Sequence, residues 1–173
     1  MALELKRYLF TRAEYHRLAE AGVLGEDDRV ELIEGEILEM SPIGRRHWAC
    51  VDRLTHLFVR AVGDEAIVHV QNPVPLNERS EPEPDLTLLR FRADFYAPAD
   101  PTPADVLLVV EVADSSIEYD RQVKAPLYAR TGIPELWILD LGRDHLVVYR
   151  EPSTTGYGTT RVLRRGETIS PLA

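Results

Sequence analysis

An α/β domain with a mixed central sheet is predicted from three observations. Stretches with the 3.6-residue period of a helix alternate along the chain with short apolar runs of strand length. Two of those runs, Leu86-Thr87-Leu88-Leu89 and Leu107 to Ala113, are apolar at nearly every position and read as strands covered on both faces. The order is helix, hairpin, helix, strands, helix, strands, which suits a sheet flanked by helices.

Each element has a local cause. Thr11-Arg12-Ala13-Glu14 fits a capping box, and Tyr15, Leu18 and Ala19 continue a short amphipathic helix to about Gly22. Arg29 to Met40 reads as a hairpin, with the turn at Glu34-Gly35, where glycine supplies a positive φ. Arg45 to Val62 is the strongest helix. Trp48, Val51, Leu54, Leu57, Phe58 and Val62 form one apolar stripe, and Gly63 ends it. Ala66 to Val70 is a short strand, and Gln71 to Ser80 is rich in turn residues.

Strands follow at Asp85 to Leu89 and Val106 to Ala113, separated by a loop with Pro98, Pro101 and Pro103. Ile117 to Arg130 is helical in pattern. Pro126 removes a backbone donor inside it, so a kink or a late start is expected. Thr131-Gly132-Ile133-Pro134 stops the helix. Glu135 to Asp140 and Leu146 to Tyr149 are strands around the turn Gly142-Arg143-Asp144, and a strand over Thr159 to Leu163 closes the fold. With no internal repeat, low-complexity tract or linker, residues 1–173 read as one domain.

Composition narrows the function. At 45% hydrophobic and 28% charged, the 173 residues have the balance of a soluble globular protein. No apolar run approaches the roughly 20 residues that span a bilayer. Met1 to Arg7 lacks the apolar core of a signal peptide, so a cytoplasmic protein is the default expectation. Cys50, the single cysteine, excludes an intrachain disulfide and a cysteine-based zinc site; inert burial on a helix face is expected of it. The net charge of −9 weighs against broad contact with nucleic acid by a monomer. Small basic clusters at Arg45-Arg46, Arg90/Arg92 and Arg161/Arg164/Arg165 could still be pooled by a symmetric dimer.

The candidate chemistry lies in carboxylates placed where they are costly. Glu111 interrupts the run Leu107 to Ala113, and Asp85 opens the apolar run that begins at Leu86. An ionised carboxylate in a dry sheet costs several kcal/mol unless a metal or cation meets it. Two of them on strands that could be neighbours suggest a divalent-cation site. Lys6 and Lys124 are the only lysines among 20 basic residues, so Lys124 marks a position where arginine was not used. A compact ammonium differs chemically from a guanidinium fork.

These residues carry a resemblance. Asp85 preceded by proline, Val110-Glu111-Val112 and Lys124 resemble the PD-(D/E)xK nuclease superfamily, and more closely the Uma-two family of restriction endonuclease domains. The hairpin Val30 to Ile37, His47 at a helix start, Glu111 to Ser116, Tyr119-Asp120-Arg121, Lys124, Tyr128-Ala129 and Gly132 to Trp137 match that family's blocks in order. The resemblance implies a restriction-endonuclease-like fold and a DNA endonuclease dependent on Mg²⁺ or Mn²⁺; a homodimer is the expected assembly. It implies Asp85, Glu111 and the backbone carbonyl of Val112 as metal ligands, Lys124 as the cationic assistant and Glu31 as an accessory acidic residue. One departure is that the lysine usually stands two residues after the glutamate, where this chain has Ala113; the family places it on the next helix.

Each residue also has a plainer role. Asp85 could begin a strand, Glu111 could pair with an arginine, and Lys124 could be a solvated residue paired with Asp120 at i−4. Glu31 shares its hairpin with Glu34, Glu36 and Glu39, so an exposed acidic strand explains it too. Asp120 would secure a helix turn, Tyr128 would pack in the core with a polar tip, and Trp137 would be a core or dimer-interface aromatic. His47 would be structural or support the site from behind. Two other functions stay open: a non-catalytic metal- or partner-binding module of the same fold, and an acid/base hydrolase acting on sugars, which needs carboxylates roughly 5 to 10 Å apart.

Overall fold

In a computed structural model of the chain, which describes residues 6–25 and 27–173, helices cover both faces of a six-stranded sheet. Met1 to Leu5, the first residues of the stretch considered for a leader, lie outside the described residues, as does Glu26. No helix among the described residues is long and apolar enough to cross a membrane.

Helix α1 (Arg12–Glu20) starts on the expected capping box. The Thr11 hydroxyl accepts from the Glu14 N–H, and the Glu14 carboxylate accepts from the Thr11 N–H at 2.9 Å. The Tyr15 hydroxyl then donates to the carbonyl of Val30 at 3.0 Å, tying α1 to the hairpin. That hairpin pairs β1 (Val30–Ile33) with β2 (Glu36–Glu39) across Glu34 and Gly35, whose φ values are +50° and +85°. Two positive φ angles in a two-residue turn match the strand twist, and glycine holds the more crowded place. A Cβ on Gly35 would lie 2.7 Å from the Leu9 Cβ. We expect Gly35→Ala to destabilise the protein by about 1–3 kcal/mol, read as a lowered urea midpoint.

The large sheet runs β3 (Ala66–Val70), β4 (Leu86–Arg90), β5 (Val106–Ala113), β6 (Glu135–Asp140), β7 (His145–Ser153) and β8 (Gly156–Arg164), in that spatial order. All neighbours are antiparallel except β5 and β6, which are parallel. A parallel pair needs a long crossover, and the helical segment between these two strands provides it. On one face α2 (Arg45–Val62) packs Val51 and Phe58 against Leu86, Leu88, Leu108, Val110, Val112 and Trp137. On the other, Ala125, Leu127 and Tyr128 cover Leu89, Val109, Leu136 and Ile138. Cys50 is half-buried beside the first of these clusters, and burial pushes its thiol up.

Two expectations need correction. The stripe on α2 is narrower than its apolar residues suggest: Trp48 and Leu57 are 49% and 57% exposed. With Val51 and Phe58 facing the sheet, Trp48 lies about 60° to one side and Leu57 about 120° to the other. The outer strands are also longer than apolar periodicity marks. Pairs such as Arg150 with Thr159 and Pro152 with Tyr157 extend the β7–β8 hairpin where little is buried.

The crossover helix shows the late start implied by Pro126. A short turn, α3 (Ile117–Tyr119), widens into a π-helical turn over Asp120–Lys124 before α4 (Ala125–Arg130) becomes regular. The Ala125 N–H reaches back five residues to the carbonyl of Asp120, and Pro126, with no N–H, follows at once. Such wide turns cluster at functional sites. This one buries both Asp120 and Lys124.

Candidate active site

Three pieces of chain converge at the start of β4 and the end of β5. The antiparallel register pairs Leu86 with Val110, so the next positions outward are Asp85 and Glu111. Asp85 arrives on Pro82-Glu83-Pro84, where each proline holds its predecessor extended and leaves Glu83 the single N–H of the three. That N–H donates to Glu31 Oε2 at 3.1 Å, which ties the segment to β1. The third piece is the π-helical turn, which swings Lys124 over the end of β5.

Lys124 is 4% exposed, and its Nζ lies 3.1 Å from Glu31 Oε2 and 3.2 Å from Glu111 Oε1. The solvated pairing with Asp120 is therefore overturned, because burial leaves the ammonium to the two carboxylates around it. Asp120 instead accepts from the Ser116 hydroxyl at 2.7 Å, a helix-turn tie. Glu31 is 3% exposed whereas Glu34 and Glu39 of the same hairpin are exposed, so the hairpin is not one acidic solvent face. Strand β1 is buried on both faces, and Glu31 is covered with Leu32 and Ile33.

The two carboxylates on the sheet are each half committed. Glu111 Oε1 accepts from the Tyr128 hydroxyl at 2.7 Å as well as from Lys124, while Oε2 has no protein donor among the described residues. Asp85 Oδ2 accepts from the Val112 N–H at 2.8 Å and lies 3.0 Å from His47 Nε2. Its Oδ1 has only a 3.4 Å contact from Gln71 Nε2. Each group is thus oriented through one oxygen and keeps the other largely free.

Both line a cleft of about 620 Å³, together with Val112, Glu31, Asp120 and Lys124. Eight acidic side chains border it against two basic ones, Arg29 and Lys124. The electrostatics follow from that imbalance. Burial pushes the Glu111 carboxyl up to about 8, opposed by the Lys124 charge. Burial raises Asp120 and Glu83 as well. For Lys124 burial acts downward, but Glu111 and Glu31 override it and hold the ammonium above its ordinary value. His47 is raised by its contact with Asp85.

The donor set suits a hard divalent cation. Among the described residues no three histidine, cysteine or acidic side chains form a ready-made metal cage. Mg²⁺ does not ask for one: it is usually held by one or two carboxylates and keeps several waters. Two carboxylate oxygens without strong donors, in a cleft with excess negative charge, meet that requirement.

Several supporting contacts leave no local trace along the chain. Tyr119 donates to Glu31 Oε1 at 3.0 Å across 88 positions, and the Glu83 N–H contributes through backbone. Tyr128 touches Glu111 directly, more than a core residue with a polar tip would, and His47 stands behind Asp85. Trp137 proves to be core: it is 6% exposed, stacks beside Phe58 and donates to the buried Glu135 at 2.8 Å.

A family model described as Uma2, "Putative restriction endonuclease", matches residues 12–173. Among solved structures, the chain is similar to a protein described as "a putative nuclease belonging to DUF820" from Anabaena variabilis ATCC 29413. The TM-score is 0.72 at 16% identity, covering 95% of this chain and 89% of that one. At that identity the likeness shows the fold alone, and the fold is the restriction-endonuclease-like one implied above. No functionally curated protein matches the chain.

Proposed function

This chain belongs to the Uma2 family, and from that premise we propose that it is a nuclease hydrolysing DNA phosphodiester bonds with Mg²⁺ or Mn²⁺. The observation that carries the reading is the pairing of Asp85 with Glu111 at adjacent strand ends. Each is steered through one oxygen and largely free at the other, beside a buried lysine.

Bound there, a divalent ion would supply Lewis acidity toward a scissile phosphate and would make a bound water more acidic. Asp85 and Glu111 would hold it, with the backbone carbonyl of Val112. Tyr128 orients Glu111, and His47 and the Val112 N–H orient Asp85. Partners of that kind fix ligand direction and are typically worth about 10–100-fold in metal affinity. Lys124 brings positive charge to the spot where negative charge grows on phosphoryl oxygens. A homodimer would pool the small arginine patches of an otherwise acidic chain on one DNA-facing side.

The test is cleavage of linear, nicked and branched DNA with Mn²⁺, each repeated after exhaustive chelation. Cutting that needs the ion is the expected result. Cation binding without cutting of any substrate would favour the non-catalytic module, which the acid-lined cleft also suits. Cutting that survives chelation would remove the metal from the mechanism.

A further inference from the structure

The carboxylate of Glu31 differs from those of Asp85 and Glu111 in having no free side. Its Oε1 accepts from the Tyr119 hydroxyl at 3.0 Å, its Oε2 accepts from the Glu83 N–H at 3.1 Å, and the Lys124 ammonium lies 3.1 Å from Oε2 as an ion pair. It is buried between a hairpin, an extended proline segment and the π-helical turn. Two hydrogen bonds and an ion pair engage both of its oxygens, so a cation could take Glu31 only by breaking contacts that join three parts of the chain. Glu111 has no such constraint on Oε2.

We propose that Glu31 is a positioning residue that anchors Lys124, and that it does not hold the metal. This rests on the nuclease reading above. While no cation is present, the ammonium bridges Glu31 and Glu111. When a divalent ion draws on Glu111, Lys124 loses hold on that side but stays moored to Glu31, which is itself held by Tyr119 and Glu83. The anchor keeps the ammonium beside the reacting phosphate and stops it from competing with the metal for Glu111. The turn widened to a π-helix delivers both Lys124 and, next to it, the Tyr119 clamp.

The test is Mn²⁺ titration of the wild-type protein, Glu31→Gln and the double variant Glu31→Gln/Lys124→Met. Glu31→Gln frees Lys124 to compete for Glu111, so Mn²⁺ binds about tenfold more weakly. The double variant removes anchor and ammonium together and returns to within about threefold of wild type, as a buried pair replaced by neutral groups allows. A double variant as weak as Glu31→Gln would mean that Glu31 touches the cation itself and would overturn the proposal. Reductive methylation gives a second readout in the wild-type protein, because mass spectrometry has only Lys6 and Lys124 to tell apart. Lys124 should stay protected with and without Mn²⁺; modification brought on by Mn²⁺ would show the mooring to be absent. A wild-type protein that binds no Mn²⁺ would remove the metal reading first, and the anchor with it.

Discussion

Asp85→Asn and Glu111→Gln each lose metal-dependent cleavage, by about 10³-fold or more, while the protein remains folded. The size follows from the roles proposed for the two groups. Losing a partner that merely orients a metal ligand costs about 10–100-fold, and removing the charge of the ligand itself costs more. Retention of the fold follows from the contacts. Glutamine at 111 still offers an oxygen to the Tyr128 hydroxyl and to Lys124, and asparagine at 85 still accepts from the Val112 N–H. The measurements are single-turnover cleavage with Mn²⁺, Mn²⁺ affinity, and the circular dichroism and unfolding midpoint of each variant. Full cleavage by either variant would remove that carboxylate from the mechanism.

Lys124→Met gives the second large effect, in stability. Lys124 is the sole Lys or Arg within ion-pairing distance of the buried Glu31 and Glu111 among the described residues. Deleting Lys124 leaves the buried Glu31 without its counter-charge, and breaking a buried pair in this way costs about 3–5 kcal/mol. Methionine matches the length of the stem, so the loss is electrostatic rather than a cavity. Urea unfolding near neutral pH reads it as a lower midpoint with an unchanged slope. A loss below about 1 kcal/mol would place Lys124 in a solvated setting, against the geometry described.

Much of the fold was legible because its signals are local. Capping at Thr11, the turn at Glu34-Gly35, the helix over Arg45–Val62 and the strand over Val106–Ala113 each stand where propensity and periodicity put them. The exposed Leu57 and the long β7–β8 hairpin were not legible, since an apolar stripe does not say how wide a partner is and polar pairs leave no periodic trace. The candidate site divides in the same way. Asp85 and Glu111 stood out because a carboxylate inside an apolar strand is anomalous without any neighbour being known.

By itself, then, the chain determined its elements, their order and the costly carboxylates, because each depends on residues a few positions apart. Only the tertiary structure decided the pairings: His47 with Asp85 across 38 positions, Tyr119 with Glu31 across 88, and Lys124 shared between Glu31 and Glu111. Those depend on strand register, on how a helix crosses a sheet end and on one widened turn. A side chain meets its partner through the packing of whole elements, and no short stretch of sequence encodes that distance.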